Sequence, residues 1–341
     1  MKILVTGGCG FIGSWTCEYY AKNGHKVISY DNMTKNELMR TGYNIERARD
    51  YNWNFLKGLG VKMVKADIRN GLELLEYASG CDFIVHTAAQ PAVTISIEDP
   101  VLDISTNVVG TVNVLEAARR FKIPVVSCAT IHVYGNRINS ELTEGKNRYI
   151  RRPVGIDESY PALTGLLTPL HASKSSADTY VRAYIDTYKV NAASFRLTGL
   201  YGPRQLGGED HGWVANFCIR ALMGLPITIF GTGKQVRDIL FCEDLVMAFE
   251  SFRRKPKSGI YNIGGGKENI ISLIESIGVI SEITAKKLDL RFADARFGDL
   301  KYFVCNITKA KKHLAWSPKV RPAEGIKRLI EWIRQNQDLF K

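Results

Sequence analysis

Gly7, Gly10 and Gly13 stand at three-residue intervals directly after the apolar run Ile3-Leu4-Val5. The segment Gly7-Gly8-Cys9-Gly10-Phe11-Ile12-Gly13 then continues into Trp15 and Tyr19, which with Phe11 and Ile12 mark one side of a helix. Strand, glycine turn and helix in that order make an anion site. Glycines let the backbone turn tightly and approach a pyrophosphate, whose charge meets the helix N-terminus. Asp31 ends the next apolar run, eighteen residues beyond Gly13. A carboxylate there accepts hydrogen bonds from the adenosine ribose hydroxyls and repels a 2′-phosphate. The pattern predicts a dinucleotide site that favours NAD over NADP, with Lys35 as the nearby residue that keeps NADP open.

Such a loop needs a sheet behind it. Ile3-Leu4-Val5, Lys26-Val27-Ile28, Val61-Lys62-Met63-Val64, Phe83-Ile84-Val85 and Pro124-Val125-Val126 are short and mostly apolar, as buried parallel strands are. Helical stretches separate them. Asp99 and Pro100 start one, followed by Val101, Ile104, Val108, Val112 and Leu115 at helical spacing. This βαβ alternation predicts an α/β fold, a Rossmann doubly wound parallel sheet with a smaller C-terminal substrate-binding domain. Beyond residue 197 glycine and proline become frequent, from Gly199 and Pro203 to Gly231 and Gly233. The expected division is residues 1–197 plus about 236–262 for the dinucleotide domain, and 198–235 plus 263–341 for the other. Near 322–336, Ile326, Leu329, Ile330 and Ile333 predict a closing amphipathic helix.

The 341 residues are 45% hydrophobic and 23% charged, ample for a sizeable core. No apolar run approaches a membrane span, and no signal-peptide pattern stands at the start, so a cytoplasmic location is expected. Seven scattered cysteines without a C-x-x-C pair argue against disulfides or a zinc site, and no metal is expected. The net charge of +12 has no concentrated basic block or aromatic interleaving, which disfavours nucleic acid. It suits an anionic small molecule.

Further segments resemble the extended short-chain dehydrogenase/reductase family over nearly the whole chain. They are Asp67-Ile68, His86-Thr87-Ala88-Ala89-Gln90, Asn107-Val108-Val109-Gly110-Thr111 and Thr130-Ile131-His132-Val133-Tyr134-Gly135. Within that family the closest resemblance is to the CDP-paratose 2-epimerase branch. It rests on Ala172-Ser173-Lys174, on Tyr201-Gly202-Pro203-Arg204-Gln205 with Gly212-Trp213-Val214, and on Gly231-Thr232-Gly233-Lys234-Gln235-Val236-Arg237-Asp238. The resemblance implies an NAD-dependent epimerase that transiently oxidises a CDP- or UDP-linked sugar. It implies cofactor contacts at Asn32, Asp67, Ile68, Ala88, Ala89, Asn107 and Lys174, besides Gly7, Gly10, Phe11, Ile12, Gly13 and Asp31. Gln90, Thr130, Arg204, Gln205, Arg237 and Arg296 would bind substrate, with the forks of Arg237 and Arg296 on the diphosphate and Arg204 and Gln205 nearby. It also implies a homodimer, or a tetramer, formed through helices near 98–121 and 170–188, where Tyr180, Val181, Tyr184 and Tyr188 form an aromatic stripe or ordinary core.

One position breaks the family's pattern. The family pairs Lys174 with a tyrosine four residues earlier, one helical turn away, and the lysine lowers the phenol pKa for proton transfer. Here Leu170 stands in that place, followed by His171. Four readings remain: an introduced inactivating change, His171 as substitute, His132 as acid–base group, or a silent member that binds both ligands without normal turnover. At position 171 the side chain is turned by about 100° from position 170. His132 lies two residues beyond Thr130, where related dehydratases carry a glutamate. Those enzymes have Asp-Glu where this chain has Ile131-His132, which disfavours the 4,6-dehydratase reading.

Overall fold

A computed structural model describes residues 1–34, 41, 43 and 50–341; Lys35 lies outside the described residues. Seven strands form the central sheet: β1 (Lys2–Thr6), β2 (Lys26–Asp31), β3 (Lys62–Lys65), β4 (Phe83–His86), β5 (Val125–Thr130), β6 (Ala192–Leu197) and β7 (Gly259–Ile263). Their spatial order is β7-β6-β5-β4-β1-β2-β3, and every pairing is parallel. Every residue of β4 is buried, and so are four of the five in β1. That is why these strands read as continuous apolar runs.

The chain moves outward in one direction from β1 to β3 and in the other from β4 to β7. The sheet order therefore reverses between β1 and β4, and the crevice at their carboxyl ends is where a doubly wound sheet takes its ligand. Helix α1 (Phe11–Lys22) leaves β1 there, followed by α2 (Tyr51–Gly58) and α3 (Gly71–Ala78).

After β4 come α4 (Val93–Glu98), α5 (Pro100–Ile104), a π-helical turn (Ser105–Val109) and α6 (Gly110–Phe121). The start matches expectation: the Asp99 carboxylate accepts from the Leu102 N–H at 2.8 Å, and Pro100 is the first helical residue. The interior does not. The π turn breaks the regular period, and Val101 and Ile104 are 72% and 54% exposed, with Leu115 fully buried. Helix α7 (Pro169–Tyr188) divides the predicted stripe the same way: Val181 and Tyr184 are core, Tyr180 and Tyr188 exposed.

The remainder forms a smaller lobe. Its core gathers Val214, Phe217, Ile227, Ile229 and Ile280, with Ile326, Leu329, Ile330 and Ile333 from the closing helix Pro322–Gln335. Strand β7 lies at the edge of the central sheet, while Val236–Asp238 joins a three-stranded sheet with Ile270–Ser272 and Tyr302–Phe303. Leu300 through Trp316 pack into the same core as Ile3, Val5 and Phe83, so the lobes interlock more than the expected boundaries suggest. No described helix is long and apolar enough to cross a membrane.

Candidate active site

A cavity of about 530 Å³ runs from the glycine turn to Arg237. At one end, Gly7 has φ +68°, and a Cβ on it would stand 2.6 Å from the Ala88 nitrogen after β4. The two loops are pressed together with no space for a side chain. Gly10 precedes α1 without any side-chain cap, so the first-turn amides of Phe11, Ile12 and Gly13 face the cavity with no side chain occupying them. Asp31 accepts from the Cys9 amide at 2.9 Å and the Met33 amide at 2.8 Å, which fixes its carboxylate on the rim. Asn52, absent from the sequence-based expectations, donates to the Cys9 carbonyl at 2.8 Å and leaves its Oδ1 buried without a partner among the described residues. Uncapped amides, a collared turn and an orphaned acceptor fit a dinucleotide.

Asn32, Ala66, Ile68 and Arg69 line one wall of the cavity near Asp31. Asp67 is not among the lining residues. Its carboxylate takes Arg69 at 2.7 Å and Asn32 at 3.0 Å, and those bonds hold its pKa down to about 2 against the effect of burial. Asp67 thus shapes this wall from behind.

Thr87, Ala88, Ala89 and Gln90 form the middle. Gln90 was expected on the substrate, but its amide is spent inside the protein. Nε2 donates to Asp103 at 2.7 Å, and Oε1 accepts from the Ala92 amide at 2.6 Å. Asn107, in the π turn, ties three elements together. Its Oδ1 accepts from the Gln90 amide, and its Nδ2 reaches the Gln90 carbonyl, Asp103 and Ser173 on α7. Asn107 is a brace behind the wall rather than a lining residue. Lys174 is buried beside this brace, and desolvation pulls its pKa down to about 8 while Cys128 and Asp103 pull the other way. Asp103 was not singled out from sequence. The available signal was a carboxylate one turn before Asn107 on an otherwise apolar helix.

At the far corner, β5 delivers Thr130, and the next turn (Ile131–Tyr134) delivers His132. Thr130 Oγ1 accepts from the His132 amide at 3.3 Å. Leu170, 2% exposed, offers no group for proton transfer, and its amide donates to Ser96 Oγ at 3.2 Å. His171 folds back onto the start of α7, where its Nδ1 accepts from the Thr168 backbone N–H at 3.0 Å. It completes a capping box as the third helical residue, a place usually held by Glu or Gln. Its ring nonetheless packs edge-on against His132, with centroids 5.3 Å apart. Cys128, near Lys174, is a packed thiol whose pKa burial pushes up to about 12.

The arginines divide. Arg237 lines the cavity with its guanidinium largely buried. It donates to the Val236 carbonyl at 2.8 Å and stands 4.0 Å from Asp299. Arg296 lies over the Phe230 ring and 3.9 Å from Asp210. Arg204 was also expected near the diphosphate, but its guanidinium is taken by Glu18 at 2.6 Å and Ser14 at 3.2 Å, over the face of Trp15. That clamp joins the small lobe to α1. Gln205 lines the cavity with Oε1 buried and, among the described residues, unpartnered, as does His211 with its Nδ1.

The sequence pattern of the NAD dependent epimerase/dehydratase family matches residues 3–264. The chain is 34% identical to a CDP-paratose 2-epimerase of Salmonella typhi, over 97% of this chain and 99% of that one. It also resembles the Thermus thermophilus UDP-glucose 4-epimerase in complex with NAD, at 30% identity and TM-score 0.79, covering 98% of this chain and 99% of that one. The Bacillus cereus UDP-glucuronic acid 4-epimerase, solved with UDP-glucuronic acid and NAD, superposes with TM-score 0.82 at 26% identity, over 98% and 100% of the two chains.

Proposed function

Because the chain belongs to the NAD-dependent epimerase/dehydratase family, we propose that it is an epimerase of a CDP- or UDP-linked sugar, working with NAD that stays bound. NAD, when bound, takes a hydride from a sugar carbon and returns it, so no reduced cofactor accumulates. The glycine turn and Asp31 would hold it, with Lys174 at its nicotinamide ribose. Thr130 would fix the reacting hydroxyl. The observation that carries the substrate class is Arg237: a buried cation on the cavity wall with only a loose carboxylate partner suits a diphosphate.

Small molecules released on denaturing the purified protein, identified by mass spectrometry, test this reading. The expected result is NAD with or without a nucleotide sugar. Exchange of a carbon-bound hydrogen, or a new sugar product by NMR, tests turnover. Neither event with any CDP- or UDP-sugar would end the epimerase reading.

Lys174 gives a pH dependence. Its pKa is depressed from the ordinary lysine value to about 8, so it loses charge as pH rises through that value. The NAD dissociation constant is expected to rise above pH 8. Asp103→Asn removes one of the two influences that counter burial, so the loss should move to lower pH. Titration calorimetry with NAD across pH 6 to 9 would read both; curves that superpose would refute the assignment.

Leu170 favours a second reading, a member that binds both ligands without normal turnover. The two diverge on Leu170→Tyr. If only tyrosine is missing, the change should create hydrogen exchange. No exchange in a variant that keeps its melting transition would point to chemistry that never needed tyrosine; the melt is read because position 170 is packed and a ring there costs about 1–3 kcal/mol in overpacking.

A homodimer is proposed through α5, the π turn and α7, where Val101, Ile104, Val109, Tyr180 and Tyr188 expose apolar surface. A tetramer is the alternative. A cytoplasmic location is proposed with it.

A further inference from the structure

A nucleotide-sugar oxidation needs a group to take the hydroxyl proton, and Leu170 cannot. Two imidazoles approach that corner, and their hydrogen bonding separates them. A backbone N–H can only donate, so His171 Nδ1 must be the acceptor from Thr168, and its ring proton sits on Nε2. Thr168 Oγ1 also lies 2.7 Å from that Nδ1. His171 is thus fixed as a cap, off the cavity wall. His132 differs in each respect. His132 lines the cavity, as Thr130 does, and its Nδ1 is buried with no hydrogen-bond partner among the described residues. A buried ring nitrogen left without a partner is a cost to the free protein.

We propose that His132 is the proton-transfer residue of this site, replacing the missing tyrosine, with His171 as its positioning partner. The proposal rests on the reading of the cavity as a nucleotide-sugar site. In the forward step the substrate O–H bond breaks and its proton goes to His132. The hydrogen on the same carbon leaves as hydride to NAD, and the carbinol becomes a carbonyl. Once the keto sugar has turned its other face to the cofactor, the reverse step returns both, with inversion at that carbon.

The charged groups around His132 add a coupling. From α7 it faces His171, and from the strand Val236–Asp238 it faces Arg237, behind which stands Asp299. Burial is the largest influence and holds the His132 pKa down to about 3, with His171 and Arg237 pushing the same way. A diphosphate on Arg237 would cancel that part of the push and raise the proton affinity of His132. Substrate binding would then tune the base.

The test uses the full chain and three variants. His132→Gln keeps a polar side chain but cannot carry a proton. It is expected to lose turnover by ~10²–10⁴-fold, with NAD and nucleotide-sugar affinities within about threefold of wild type. His132→Ala should regain part of its turnover with added imidazole, which a merely structural role would not allow. His171→Gln supplies the usual capping-box residue. It should leave the melting temperature near wild type and shift the acid limb of the pH profile upward.

A readout independent of turnover is the His132 imidazole signal in NMR, assigned by its loss in His132→Gln. It should titrate well below about 6.5 and move upward when UDP or CDP is added. Turnover of His132→Gln within about threefold of wild type would overturn the proposal, as would failed imidazole rescue, or an NMR signal indifferent to the nucleotides that still bind. An acid limb unmoved in His171→Gln would remove His171 from it. Wild-type protein that binds no nucleotide sugar would instead overturn the substrate reading, a result distinct from these.

Discussion

Replacing Gly13 with alanine is expected to cost NAD affinity about 100-fold while leaving the protein folded. The added Cβ would run into the Gly7 carbonyl oxygen and stand 2.7 Å from Gly8 Cα. Backbone relaxation is blocked, because Gly7 is itself pressed against Ala88 across the sheet switch point. Overpacking of this kind costs ~1–3 kcal/mol, and the upper end corresponds to about two decades in affinity. The strain falls on the turn whose amides would meet the pyrophosphate, so binding suffers more than folding. Gly58→Ala is the matched control, since a Cβ there meets nothing within 4 Å. Calorimetric titration with NAD and a circular-dichroism melt of both variants check this. Wild-type affinity in Gly13→Ala would show that the turn does not hold the cofactor.

That turn was legible because its chemistry is local. Gly7, Gly10 and Gly13 meet their demands within seven residues, and the flanking strand and helix announce themselves by apolar period. Strand β6 was not read. Its Ala-Ala-Ser-Phe-Arg-Leu carries polar residues at buried positions, which single-strand patterning counts against it. In the fold Asp178 answers them, accepting from Ser194 at 2.5 Å and from Arg196 at 2.7 Å. A compensating partner on another element cannot be seen in a run of six letters. The same reason hid Asp103, whose value comes from Gln90, Asn107 and Lys174 converging on it. The resemblance also placed Arg204 and Gln90 on the substrate side, whereas the structure ties both side chains to protein partners. Residue type identified groups able to bind; only packing shows which are already occupied. His171 shows the converse. Sequence geometry turned it away from the tyrosine position, and the fold uses it to cap α7.

Arg237→Met is expected to weaken nucleotide-sugar binding by about two orders of magnitude without loss of stability. Arg237 is desolvated, which pulls its pKa down, and its nearest carboxylate oxygen is 4.0 Å away on Asp299. A buried cation so weakly paired is a cost in the free protein. Methionine fills similar space without charge, so the melting temperature should hold or rise. The ligand sees the opposite sign. Removing one partner of a desolvated charge pair costs ~2–5 kcal/mol in binding, and ~2.8 kcal/mol is already about 100-fold. Arg237→Lys separates charge from shape. It retains the cation but not the planar fork that matches two phosphate oxygens, so it should fall between the two. NAD affinity should stay unchanged in both variants. Parallel titrations with UDP, CDP and NAD, together with melts, measure each arm. Equal loss of nucleotide and NAD binding would point to a collapsed lobe, and no loss would remove Arg237 from the diphosphate site. A stable Arg237→Met protein that has lost only the nucleotide would mean that the fold tolerates a strained cation for the sake of its ligand.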